Sequence, residues 1–130
     1  MIIDASALLA VALAEPDGMR YALAISAAER PRVPSVTWFE ATMRVDAMGD
    51  VEALRRFDDL IREGGIEIVP LTADHAREAR RARQLFGKPH KAQLNFGDCL
   101  VYGVARHERE PLLFKGDDFS QTDIEPALKD

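Results

Sequence analysis

The sequence predicts an α/β fold, a compact sandwich in which helices cover both faces of a mostly parallel sheet. Two observations support this prediction. Short apolar runs alternate with longer segments in which apolar residues recur at helical spacing, and 47% of the 130 residues are hydrophobic, enough to bury a core. Because no repeat, low-complexity segment or long linker interrupts the alternation, we expect a single domain over residues 1–130.

The first half of the chain begins with a strand and a helix that meet at an acidic residue. An apolar run at 2–3 ends at Asp4, and Ser6 is a candidate N-cap for the helix that follows. Ser35 or Thr37 is a candidate cap for a later helix. The other predicted elements are a helix from the break at 15–18 to about residue 29, an extended piece at 32–35, the later helix ending at Gly49, and a helix at 51–63.

The second half continues the alternation of strands and helices. The run Ile-Glu-Ile-Val is the clearest interior strand, and Pro70 ends it. Thr72 or Asp74 caps a basic helix, and Asn95 caps the next one, which places Asp98 in its first turn. The predicted ranges are a strand at 66–69, a helix to about residue 86, a loop at 87–91, a helix from residue 95 and a buried strand at 112–114.

Composition and charge restrict the classes of function. The net charge of -5 argues against broad, charge-driven binding of nucleic acid. The single Cys99 excludes an intrachain disulfide, and the first apolar run is far shorter than the roughly 20 residues of a membrane span, so we expect a cytoplasmic protein without membrane contact. One basic stretch could still bind RNA locally, although a solvated helix face explains it equally well; its residues are Arg80, Arg81, Arg83, Lys88 and Lys91.

Four acidic residues are predicted to gather at one edge of the sheet. Asp4 and Asp117 follow strands whose carboxyl ends share that edge, and Glu40 and Asp98 lie in early turns of helices that enter it. Taken singly, either helical acid could merely complement a helix dipole. Closely spaced carboxylates repel, so some bind protons or a hard cation binds among them. Oxygen ligands without His or Cys at ligand spacing favour Mg²⁺ or Mn²⁺, which would activate water for attack on a phosphodiester.

Four motifs occur in order along the chain. They are Ile-Ile-Asp-Ala-Ser-Ala-Leu at the start, Glu40 after Pro-Ser-Val-Thr, Leu-Asn-Phe-Gly-Asp-Cys-Leu-Val-Tyr at 94–102, and Leu-Leu-Phe-Lys-Gly-Asp-Asp-Phe-Ser-Gln-Thr-Asp-Ile at 112–124. Together they resemble the PIN-domain ribonucleases, and more narrowly the VapC toxins of bacterial toxin–antitoxin modules. The resemblance covers essentially the whole chain and implies a PIN-like three-layer sandwich with a Mg²⁺- or Mn²⁺-dependent endoribonuclease activity on transfer or ribosomal RNA. It further implies a homodimer that a cognate VapB-like antitoxin silences.

The resemblance also implies a role for each acidic residue. Asp4 and Asp98 would be the main metal ligands, and Glu40 would help to bind the metal or to activate water. Asp117 would complete the acidic set, but the adjacent Asp118 could share or take this role.

Ser6 is the remaining site residue that the resemblance implies, as a hydrogen-bonding brace of the acids. A haloacid-dehalogenase-like phosphatase would need an acid at this position. A receiver-like signalling domain would need an acceptor Asp at the end of a middle strand, and the run at 66–70 ends without one. A silent PIN-like module that binds RNA or a protein without cutting is the other alternative, and the intact acids argue against it.

Two helices carry more apolar positions than one packed face requires. These positions lie at 36–48 and 54–61. They predict either a dimer seam or an antitoxin groove, unless both helices are simply buried between the sheet and their neighbours.

Overall fold

Four short strands form the centre of the fold in the computed structural model, which describes residues 1–129. They are β1 (Ile2–Ile3), β2 (Arg32–Pro34), β3 (Glu67–Val69) and β4 (Leu112–Leu113). The strand order is β3-β2-β1-β4, and every pairing is parallel, with Ile2 in register with both Arg32 and Leu112. This confirms the predicted parallel α/β fold, and the carboxyl ends of all four strands therefore lie at one edge.

Helices cover both faces of this sheet. Ile3 belongs to a buried cluster with Leu8 and Phe57, whereas its neighbour Ile2 belongs to a second cluster with Val101 and Phe119. Side chains of adjacent strand residues thus pack on opposite faces of the sheet. The sheet and the helices on its two faces form a three-layer arrangement. The helices are α1 (Ala5–Ala12), α2 (Gly18–Ala27), α3 (Ser35–Ala47), α4 (Val51–Glu63), α5 (Ala73–Phe86) and α6 (Phe96–Glu108), followed by a 3₁₀ turn at Phe119–Gln121. Within the described residues, none of these helices has the length and apolar character needed to cross a membrane.

Two strands differ from the sequence prediction. The piece at 32–35, predicted only as extended, supplies the interior strand β2, whose three residues are all buried. The run predicted as the clearest interior strand is instead the edge strand β3, in which Ile68 is 41% exposed. A short apolar run reports β-propensity but not its place in the sheet, because that place depends on which other segments pair with it.

Helix caps were predicted with mixed success. Thr72 and Asn95 are confirmed as N-caps, each accepting a hydrogen bond from a backbone N–H at the start of its helix. The prediction for Ser6 is wrong, because Asp4 is the N-cap of α1 and its side chain accepts from the Ser6 N–H. The prediction for α3 is also wrong, since Pro34 occupies the cap position without a side-chain bond.

A partly buried ion network joins the layers at the amino edge of the sheet. Arg32 at the start of β2 donates to Glu108 at 3.0 Å and to Glu110 at 2.9 Å. Because His75 Nδ1 accepts the Thr72 N–H at 3.0 Å, its Nε2 carries the proton and donates to Glu108 Oε2 at 3.1 Å. Hydrogen bonds from His75 and Arg32 hold the pKa of Glu108 below its ordinary value. The charges at this edge are therefore paired.

Candidate active site

Asp4 follows β1 directly and lies at the carboxyl edge of the sheet. Its side chain is only 6% exposed, and Oδ2 accepts from the Ser6 backbone N–H at 3.1 Å and from the Ser6 hydroxyl at 2.6 Å. The same Ser6 Oγ accepts from the backbone N–H of Lys115, just after β4, at 2.9 Å. Ser6 thus fixes the Asp4 carboxylate and links it to the loop that carries the later acids.

Lys115 anchors that loop by its side chain as well. Its Nζ donates to Glu15 Oε2 at 2.6 Å and to Asp17 Oδ1 at 2.9 Å, in the connection between α1 and α2. Hydrogen bonds to these two carboxylates raise the pKa of Lys115 to about 12. The ammonium group is thereby committed to positioning the loop.

Asp98 is held by the local sequence at the start of α6. Its backbone N–H donates to Asn95 Oδ1 at 2.9 Å, and its own Oδ2 accepts from the Asn95 backbone N–H at 3.0 Å. This reciprocal capping box fixes both the helix start and the carboxylate. The spacing of Asn95 and Asp98 is therefore sufficient to place this acid at the edge where α6 begins.

Glu40 reaches the same place from α3, and it does so because Gly97 has no side chain. A Cβ built on Gly97 would lie 2.3 Å from Glu40 Oε2. Gly97 was not among the predicted site residues. The available signal was a glycine inside the first turn of a helix, between the Asn95 cap and Asp98, where glycine weakens the helix unless a close approach requires it.

The three acids influence one another electrostatically. Burial, and to a smaller extent the charge of Glu40, raise the pKa of Asp4. Burial and the charge of Asp98 raise the pKa of Glu40. Burial raises the pKa of Asp98 to about 6, and the charges of Asp4 and Asp118 add to this effect. The structure therefore brings Asp4, Glu40 and Asp98 together as negative charge that their surroundings do not fully neutralise.

The two candidates for the fourth acid differ in their neighbours. Both Asp117 and Asp118 are exposed in the loop after β4. Asp118 contributes to the raised pKa of Asp98, whereas Asp117 lines a cavity with Lys115 and Ser120. These surroundings favour Asp118 as the acid that adds to the field of the site.

The predicted RNA-binding residues are all exposed. Three of them lie on α5, and two lie in the loop that leads to α6: Arg80, Arg81, Arg83, Lys88 and Lys91. The Arg83 charge lowers the pKa of Cys99, the residue after Asp98, although burial makes the overall shift of that thiol upward. Of these five residues, Arg83 thus lies near the residue that follows Asp98.

An apolar groove lies beside Glu40. Phe39 and Met43 of α3 are each 56% exposed and Phe96 of α6 is 79% exposed, and they line a groove of about 310 Å³. In α4, by contrast, Phe57 is buried. The extra apolar residues predicted at 36–48 are therefore exposed at the surface, whereas those at 54–61 largely pack against the core.

The donor set at the acidic site suits a hard cation, because it consists of carboxylate oxygens with raised pKa values. Among the described residues, three possible metal ligands have atoms that all lie within 4.8 Å of one another, and they are His75, His107 and Glu108. The acids of the site, taken as a set, are therefore spaced more widely than this. The trio is not a suitable metal site. Both ring nitrogens of His75 are engaged, Nδ1 as acceptor and Nε2 as donor.

Comparison with known proteins adds to this description. The PIN domain family matches residues 1–125. Ribonuclease VapC28 of Mycobacterium tuberculosis is 41% identical over 130 residues, 98% of each chain, and ribonuclease VapC30 of the same species is 38% identical over 125 residues, 95% of each chain. Among solved structures, M. tuberculosis VapC20, a toxin that cleaves the sarcin-ricin loop, has a TM-score of 0.71 at 16% identity over 95% of both chains. A toxin–antitoxin complex from Klebsiella pneumoniae has a TM-score of 0.69 at 17% identity, covering 92% of this chain and 89% of that one.

The charge of Asp98 is expected to destabilise the metal-free protein. Because folding raises the Asp98 pKa from 3.8 to about 6, the folded state binds this proton more tightly than the unfolded state. Melting temperature in metal-free buffer should therefore rise as the pH falls from about 7 to about 5. Asp98→Asn keeps the acceptor for Asn95 and should raise stability at neutral pH by about 1 kcal/mol, well below the full equivalent of the pKa shift, because solvent screens this part-exposed carboxylate. A variant that is less stable than wild type at pH 7 would contradict this prediction.

Gly97→Ala should displace the Glu40 carboxylate without damaging the fold. Alanine is the better helix former by up to about 1 kcal/mol, so the melting temperature should hold or rise. The added Cβ forces Glu40 away, because it would stand 2.3 Å from Oε2. We expect Mn²⁺ affinity, measured by calorimetry, to fall by about tenfold, as for other changes to groups that orient a metal site. Unchanged Mn²⁺ affinity would mean that the position of Glu40 does not matter.

Proposed function

The chain belongs to the PIN-domain family of VapC ribonucleases, and on this premise we propose that it is a metal-dependent endoribonuclease, the toxin of a VapBC-like pair. One observation carries the proposal. Asp4, Glu40 and Asp98 converge at the carboxyl edge of a parallel sheet, and burial raises the pKa of each. Such a site can bind a cation and manage a proton, which phosphodiester hydrolysis requires.

We propose Mg²⁺ or Mn²⁺ as the cofactor, held chiefly by Asp4 and Asp98. When bound, the ion would supply positive charge for the phosphate oxygens and lower the pKa of water. The residues of the chain have distinct tasks around it. Ser6 keeps the Asp4 carboxylate in place, the capping box keeps Asp98 in place, and Glu40 would accept the proton of the attacking water at a carboxylate oxygen. Asp118, or Asp117 in its place, would complete the acidic set.

The substrate and partners are proposed from the relatives. VapC20 cleaves the sarcin-ricin loop, so we propose structured RNA, ribosomal or transfer RNA, as the substrate in the cytoplasm. The toxin–antitoxin neighbour supports a VapB-like antitoxin as the inhibitor. We further propose a homodimer, and the groove of Phe39, Met43 and Phe96 is the apolar surface that a protein partner would cover.

Purified protein should cut a pool of small RNAs into discrete products with Mg²⁺ or Mn²⁺, and a chelator should abolish cutting. Asp98→Asn should lower the rate by at least about 100-fold, since it removes a proposed metal ligand. Asp58→Asn is the matched control, because Asp58 is an exposed acid of α4. Sizing the same preparation by light scattering tests the homodimer. A folded, metal-binding protein that leaves every RNA intact would favour the silent binding module.

Charge reversal on α5 should weaken RNA binding. We expect the triple variant Arg80→Glu, Arg81→Glu, Arg83→Glu to lose about tenfold in affinity at 0.1 M salt, with a log–log salt slope shallower by about 2. Binding is measured by fluorescence anisotropy with a labelled stem-loop RNA and Ca²⁺ in place of the catalytic ion.

A control variant separates this effect from net charge. Arg30, Arg55 and Arg62 have side chains 64%, 65% and 69% exposed, and they lie outside α5. Reversing these three gives the same change in net charge and should lower RNA affinity much less. Equal losses in both triple variants would remove the assignment of α5 as the RNA-binding face.

A further inference from the structure

The loop between β4 and the 3₁₀ turn carries Asp118, but no hydrogen bond within the described residues holds the Asp118 carboxylate itself. Its position depends on how the loop is tied down. The loop begins at Lys115, whose backbone N–H donates to Ser6 and whose side chain pairs with Glu15 and Asp17. Directly after Asp118, Phe119 of the 3₁₀ turn is only 3% exposed and is packed in the core cluster on the α6 side of the sheet.

The segment that follows the 3₁₀ turn is bonded to α6, the helix that carries Asp98. Tyr102 lies one helical turn after Asp98, and its hydroxyl donates a short hydrogen bond to Asp123 Oδ1. Tyr102 is 3% exposed, and its ring centroid lies 5.8 Å from that of Phe86. This packing fixes the ring that carries the donor hydroxyl. Burial and the bond to Asp123 raise the pKa of this phenol, which therefore keeps its proton.

The backbone around Asp123 is ordered by its own bonds. Thr122 Oγ1 donates to the Phe119 carbonyl at 2.6 Å and accepts from the Ile124 N–H at 3.2 Å. The 3₁₀ turn at 119–121 and Thr122 are the only residues between Asp118 and Asp123, so the bond to Tyr102 fixes the chain close to Asp118. One helix thus presents Asp98 to the site and also fixes the far end of the loop.

We propose that Tyr102 and Asp123 are positioning residues that set the placement of Asp118 relative to Asp98. This inference rests on the proposed ribonuclease site. Neither residue touches substrate or metal. Both act through Asp118, whose negative charge adds to the field that attracts the cation.

The experiment measures Mn²⁺ affinity by calorimetry in a double-mutant cycle of wild type, Tyr102→Phe, Asp118→Asn and the double variant. We expect Asp118→Asn to weaken binding by about tenfold and Tyr102→Phe by about threefold, the lower range for groups that orient a metal site. The double variant should be no weaker than Asp118→Asn alone, because the bond acts only through that carboxylate. If Tyr102 instead had only a general structural role, Tyr102→Phe would weaken Mn²⁺ binding by the same factor in the wild-type protein and in Asp118→Asn.

Asp123 provides a rescue test. Asp123→Asn keeps a side-chain oxygen that accepts from Tyr102 and should retain most of the wild-type Mn²⁺ affinity, whereas Asp123→Ala should match Tyr102→Phe. Additive losses in the cycle, or wild-type affinity in Tyr102→Phe, would overturn the inference. Wild-type protein that binds Mn²⁺ with this pattern but cleaves no RNA would contradict the ribonuclease proposal alone.

Discussion

The structure depends on gathering three carboxylates at the carboxyl edge of its sheet. Burial and mutual repulsion both oppose this arrangement, as the raised pKa values of Asp4, Glu40 and Asp98 record. The contrast with the amino edge is instructive, because there Arg32 is paired with both Glu108 and Glu110. The same helix, α6, contributes Asp98 to one edge and Glu108 to the other. Charge is therefore paired at the amino edge and left largely uncompensated at the edge where we propose the ribonuclease site.

The parts of the site that could be predicted from sequence are those fixed by neighbours in the chain. Asp4 follows an apolar run, and Asp98 stands three residues after its cap, so both positions follow from local rules. The parallel α/β arrangement was also predictable, because alternating strands and helices allow few other topologies. The identity of the interior strand could not be predicted. The strand β2 contains an arginine and a proline, and these fit an interior strand only because Arg32 pairs with Glu108 and β3 pairs with β2.

The parts that the sequence did not reveal depend on contacts between distant segments. Gly97 has a role only because Glu40 arrives from another helix, and no local pattern records that approach. The exposure of Phe39 and Phe96 is similar, because helical spacing identifies an apolar face but not what covers it. The bond between Asp123 and Tyr102 likewise joins positions 21 residues apart. Local sequence patterns therefore indicated where the acids lie, but not the residues from distant segments that contact or position them.

The way each acid is held fits the different roles that we propose for the three acids. Asp4 and Asp98 both lie at helix N-termini, where backbone N–H groups donate to the carboxylates and the helix dipole favours negative charge. These hydrogen bonds stabilise the ionised carboxylates and partly offset the upward effect of burial on their pKa values, which suits the proposed metal ligands. Glu40 lies six residues into α3, and only the charge of Arg44 opposes its desolvation and its repulsion by Asp98. Desolvation and the charge of Asp98 thus raise the pKa of Glu40, which suits the proposed role of taking a proton from water as a phosphodiester is attacked.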